Sequence, residues 1–112
     1  MDIMNLMAGV EDIYNDPGFL TMIESHLTYL RRSPNVALLP VNEQQSYKYE
    51  GDYYGLLETL GITKDSHYIV MRVNNYASSA DYKGTTQPVI VPDMLEVGML
   101  KNVYLTGSDE LA

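Results

Sequence analysis

His26 and His67 are the only imidazoles in this chain, which has no cysteine, so thiolate metal sites and disulfides are excluded from the outset. An imidazole that binds metal or moves a proton needs converging partners. Glu24 stands two residues before His26, a separation that does not put the pair on one helical face. Asp52 and Glu58 could be read as a carboxylate pair, but a six-residue separation puts them on different sides of a helix. A helix cap and a solvated charge are the expected roles. No G-x-S-x-G elbow presents a serine nucleophile, and no glycine-rich phosphate loop is present. Arg31-Arg32 could meet a phosphate or an acidic partner, although the end of a helix favours cations on its own account. No catalytic, cofactor-binding or metal-ligating residue is expected, and the chain does not read as an enzyme.

The aromatic usage carries more information: ten Tyr and one Phe, with no Trp, alongside seven Met. Tyr provides a large contact area with a polar tip, and Met fills irregular contacts, so both suit interfaces as well as a small core. Tyr53, Tyr54, Tyr76 and Tyr82 fall beside two expected loops. Contact with another subunit ranks first for them, core packing second and stacking on a sugar third.

The elements that position these residues follow from periodicity and punctuation. Ile3, Leu6, Met7, Val10, Ile13 and Tyr14 form a helical stripe over residues 1–15. Asp16 caps a second helix with Pro17 at its first position; Phe19, Leu20, Ile23, Leu27 and Leu30 line its apolar face, and Ser33-Pro34-Asn35 ends it. Val36 to Val41 is extended, and Asn42 to Gln45 is a polar connection. Ser46 to Glu50 alternates, which predicts a strand with Tyr47 and Tyr49 on one face. Asp52 caps a helix that runs through Leu60 and stops at Gly61. Tyr68 to Val73 suits a strand or a helix by composition. A capping Asp65 and a terminating Asn74-Asn75 decide for a helix from about Ser66 to Asn74. Tyr76 to Thr86 is a loop, Val89 to Val91 a strand, and Asp93 caps a last helix bearing Met94, Leu95, Val97 and Leu100. Val103, Tyr104 and Leu105 are expected to trail off.

At 112 residues, with 46% hydrophobic and 20% charged composition, the chain suits one modest core. The net charge of −8 disfavours nonspecific binding to nucleic acid or anionic lipid, and its acids are scattered rather than blocked. No run approaches the roughly 20 apolar residues of a membrane span. The N-terminal MDIMNLMAGVEDIY lacks a positive signal-peptide region, so synthesis and retention in the cytoplasm are expected.

From Tyr47 to Asp93 the order is Tyr47, Gly51-Asp52, Leu56-Leu57, Leu60-Gly61, Asp65, Asn74-Asn75, Gly84 and Ile90-Val91-Pro92. This stretch resembles the lysin motif (LysM), a small strand–helix–helix–strand module. Tyr53-Tyr54-Gly55 stand where the family often has Thr or Ser and a small aliphatic pattern, and the Tyr76–Thr86 loop is longer than typical. The resemblance implies an α+β fold: a LysM-like core over 36–93, an N-terminal helical extension over 1–35, and a C-terminal helix and tail over 94–112. LysM-like modules are reused in bacteriophage tail and baseplate proteins, flanked by docking segments. The resemblance therefore implies a structural virion protein, made in the host cytoplasm, whose partners are other virion subunits in a multi-subunit assembly. No cofactor, nucleic acid or membrane is implied. The expected interface residues are Leu6, Val10, Tyr53, Tyr54, Tyr76, Tyr82, Leu100 and Tyr104. The alternative is a LysM module that binds peptidoglycan or a related glycan.

Overall fold

The computed structural model describes residues 13–111, and the side chains of all of these except 15 and 107–111. Leu6 and Val10, with most of the first helical stripe, lie outside the described residues. Among those described, the fold is α+β, with six α-helices and one two-stranded antiparallel sheet. In order these are α1 (Pro17–Ser25), α2 (Leu27–Arg32), β1 (Ala37–Leu39), α3 (Glu43–Lys48), α4 (Tyr53–Thr59), α5 (His67–Val73), β2 (Val89–Val91) and α6 (Met94–Leu111). Short 3-10 turns precede α1 and α5, and a third interrupts the loop at Ser79–Asp81.

Asp16 caps α1 as its sequence predicts, its carboxylate accepting from the Gly18 N–H at 2.8 Å. The expected single helix from Pro17 is divided at His26. The Met22 carbonyl, which would accept the His26 N–H in an unbroken helix, instead takes the His26 ring Nδ1 at 2.7 Å. The backbone N–H turns to Ile23 O, one residue closer, and α2 sets off on a new course.

The expected strand at Ser46–Glu50 is corrected to α3. Asn42 and Gln45 form a reciprocal capping box: the Gln45 N–H donates to Asn42 Oδ1 at 2.7 Å, and the Asn42 N–H donates to Gln45 Oε1. Helical geometry then parts the two tyrosines. Tyr47 is 83% exposed, while Tyr49 packs against the core. The strand that pairs with β2 is β1, in register Ala37↔Val91, Leu38↔Ile90 and Leu39↔Val89.

Tyr68 to Val73 is helical, as the sequence predicts, and its burial explains the ambiguous composition. Val70 and Met71 join one buried cluster with Val41, Tyr53, Leu56, Leu57, Tyr82 and Val89. Ile69 and Val73 join a second with Ile13, Phe19, Ile23, Leu30 and Val97. A helix apolar on several faces is what a central position requires. Asp65 does not cap it, because Asp65 lies inside the preceding 3-10 turn and Ser66 occupies the cap position without a side-chain bond.

The end of α5 is fixed more firmly than its start. Asn74 Nδ2 donates to Ile90 O at 2.8 Å, and the Ile90 N–H donates to Asn74 Oδ1 at 2.8 Å, so one carboxamide pairs with β2 as a neighbouring strand would. Arg31 reaches across from α2: its Nε donates to Val73 O at 2.6 Å and its Nη2 to Asn75 Oδ1 at 2.7 Å. Arg31 thus satisfies the carboxyl end of α5, a different helix from its own. The Arg72–Glu24 ion pair, at 2.7 Å, joins α5 to α1, and the Tyr68 hydroxyl donates to the same carboxylate.

The last helix is longer than expected. Asp93 caps it through the Leu95 N–H, and it continues to Leu111 instead of ending near Leu100. Leu100 and Tyr104, four residues apart, both pack toward the Phe19 cluster, and the Tyr104 hydroxyl donates to Asp16 Oδ1 at 3.0 Å. Docking on α1 supports a segment that local composition alone does not.

Candidate docking surface

The expected site residues separate into three groups. Tyr53 and Tyr82 are 2% and 3% exposed, so they belong to the core of this chain and offer no surface to a neighbour. This corrects the expectation of an interface role for them. Tyr53 lies 4.6 Å from Tyr76 and 5.1 Å from Tyr82 between ring centroids, and burial pushes the Tyr53 hydroxyl pKa far up. Tyr54 and Tyr76 are half-buried against the same cluster. Leu100 and Tyr104 are half-buried against the Phe19 cluster.

The loops around these tyrosines are held together. The Gly51 N–H donates to Tyr82 O at 2.9 Å, and the Tyr54 N–H donates to Ser79 Oγ at 2.9 Å. Gly51 has the positive φ of 79° that its tight turn requires. These two bonds close the loops on one another, and the tyrosine rings fill the space between them.

Of the histidines, His67 is buried, and its Nε2 donates to Ile62 O at 2.8 Å; its ring lies 5.3 Å from that of Tyr54. His26 is occupied by Met22 O. Asp52 and Glu58 nonetheless line one open cleft of about 540 Å³, with Tyr14, Tyr54, Lys64, Asp65 and Tyr68 also on its walls. Asp52 is the cap of α4, with φ −140°. Its Oδ1 accepts from the Gly55 N–H at 3.0 Å, which gives the carboxylate a structural role.

The exposed apolar surface lies elsewhere. On α6, Leu95 is 79% exposed, Met99 66% and Val103 55%, at intervals of four residues, with Leu105 half exposed beyond them. The opposite side of the helix carries the buried Val97 and the half-buried Leu100 and Tyr104. Exposed Tyr29 of α2 stands beside the stripe. Between α2 and α6 run two adjoining hollows. One, of about 210 Å³, is lined by His26, Tyr29, Glu96, Met99, Leu100 and Val103. The other, of about 360 Å³, is lined by Thr28, Tyr29, Arg32, Ser33, Pro34 and Glu96.

Glu96 sits where the hollows meet. Its Oε1 accepts from Ser33 Oγ at 2.9 Å, whereas its buried Oε2 has no hydrogen-bond partner among the described residues. Leaving a buried carboxylate oxygen unpaired is costly, so the position is unusual. Sequence reasoning named Leu95 as a residue of this helix but missed the surface. The signal was the four-residue spacing of Leu95, Met99 and Val103, hidden by the expectation that the helix ended before Val103.

Comparison with protein-family models, with curated proteins and with solved structures finds no match to this chain. Among the described residues, no helix is long and apolar enough to cross a membrane.

Proposed function

We propose that this chain is a structural subunit that docks onto other proteins, and that its setting is a bacteriophage tail or baseplate. The observation that carries the docking reading is the exposed stripe of Leu95, Met99 and Val103 beside Tyr29. A contiguous apolar face of this kind on a small domain is characteristic of an interaction site. The phage setting rests on the LysM resemblance of the sequence alone, since the strand paired with β2 is Ala37–Leu39, ahead of the stretch that carries the resemblance. The extra helix α3 and the displaced first strand are departures from that module.

Magnitudes indicate how much of the surface must be engaged. Burying Leu95, Met99 and Val103 contributes about 5 kcal/mol at about 1.5–3 kcal/mol per fully buried side chain, less what is already covered. Association costs about 4–15 kcal/mol in lost freedom. The stripe alone therefore does not hold a lasting partner, and the two hollows with Tyr29 must take part. Peptidoglycan binding is the weaker reading, because the loops that would bracket a sugar are bonded to each other and Tyr53 and Tyr82 are inaccessible.

Co-expression of the chain with the products of its flanking genes, followed by native mass spectrometry, tests the docking reading. A complex is expected that is lost with Met99→Asp, while the melting temperature of the variant stays within a few degrees of wild type. An unaffected complex would refute docking through α6.

A further inference from the structure

We propose that the groove between α2 and α6 seats an amphipathic helix of a partner protein, one that brings a Lys or Arg side chain to Glu96. This deepens the docking reading and rests on it. Leu95 to Val103 spans about 12 Å along α6, a little over two turns. That length matches the i, i+4, i+7 anchors by which a helix enters a groove. Tyr29, Met99, Leu100 and Val103 supply its apolar lining.

Charge decides the character of the occupant. Glu96 Oε2 is buried at the junction of the hollows and has no partner among the described residues, so a donor from outside would complete its hydrogen bonding. A cationic donor also neutralises the carboxylate, giving the stronger, charge-assisted bond. Arg32 and His26 line the hollows too, but among the described residues neither forms an ion pair with Glu96. The whole chain carries −8, which draws a basic partner and repels a second copy. The apolar stripe supplies contact area, and Glu96 fixes register and sign.

The test uses the full chain and a synthetic amphipathic Leu/Lys helix of about five turns. Its controls are a scrambled peptide of the same composition and a Leu/Glu counterpart. Fluorescence anisotropy would give affinities, and amide chemical shifts would map the contact. The Leu/Lys helix should bind at least about tenfold tighter than either control, with shifts centred on Tyr29, Leu95, Met99 and Val103. Glu96→Gln, which keeps the bond from Ser33, should weaken binding roughly tenfold or more. Arg32→Ala should leave it unchanged or stronger.

Equal binding of the scrambled peptide would reduce the effect to bulk charge and overturn the proposal. So would indifference to Glu96→Gln, or a loss with Arg32→Ala as large as with Glu96→Gln, which would make Arg32 the partner of Glu96. A photo-crosslinker carried at position 99 covers the other occupants. Crosslinks to residues 1–12 of the same chain, or to a second copy, would also overturn it. If these results fail while Met99→Asp still abolishes the native complex, the docking reading stands without a basic helix. If the native complex also survives Met99→Asp, both fall.

Discussion

Asn74 does more for this fold than its size suggests. Its carboxamide bonds both backbone groups of Ile90 and also donates to Val70 O, tying the end of α5 to β2. Asn74→Ala would leave the Ile90 N–H and carbonyl without these partners and should cost about 2–4 kcal/mol in urea unfolding. Glu24 makes a second tie, and the Arg72 guanidinium bonded to it holds its carboxyl below the ordinary carboxylate range, the Tyr68 hydroxyl acting in the same direction against partial desolvation. A folded-state pKa below the unfolded one gives stability that is full above the unfolded pKa and fades as pH falls through the folded value. Thermal melts should therefore show wild type more stable than Glu24→Gln at pH 7, with the gap closing as pH falls below about 4. Sequence singled out Asn74 as a helix end, which it is. Its bonds to Ile90 were not legible, because a contact sixteen residues away leaves no trace in local spacing. Glu24 was weighed against the wrong partner, His26, since its true partners, Tyr68 and Arg72, are brought to it only by the packing of α5 on α1.

Among the elements, those marked by strong local signals were readable: α1 by Asp16-Pro17, α4 by Asp52, and β2 by its Val-Ile-Val run. The misread elements are those where two local rules compete. In α3 the alternation of Tyr47 and Tyr49 argued for a strand, and the capping box of Asn42 and Gln45 prevailed. In α6 the run from Val103 to Leu105 looked unhelical until Tyr104 found Phe19, its ring centroid 5.8 Å away. The presence of α3 has a consequence at Gly84. With φ +76°, this residue passes under α3 so closely that a Cβ would stand 3.1 Å from Ser46 O. Gly84→Ala should lower stability by about 1–2 kcal/mol from the backbone conformation alone. The melting temperature should fall accordingly.

At the scale of the whole molecule, α5 lies between two buried clusters, one shared with α4 and β2 and the other with α1, α2 and α6. The outer helices help build the core with one face, and α6 leaves its other face uncovered. Sequence located docking in the flanking segments and in the tyrosines of the central loops. Of the flanking residues it named, Leu100 and Tyr104 pack on the Phe19 cluster, on the face of α6 away from the exposed stripe, and Tyr53 and Tyr82 are needed inside. Exposure of this kind is set by which face of α6 meets α1, and periodicity alone does not specify that. On the proposed reading the exposed face of α6, and not the tyrosine loops, receives the partner. Amide hydrogen exchange on the full chain, alone and in complex with its co-expressed neighbours, tests it directly. Added protection is expected over residues 94–106 and at Tyr29, with Tyr76–Thr86 unchanged. Protection confined to Tyr76–Thr86 and the Gly51-Asp52 turn, with α6 exchanging as before, would contradict it.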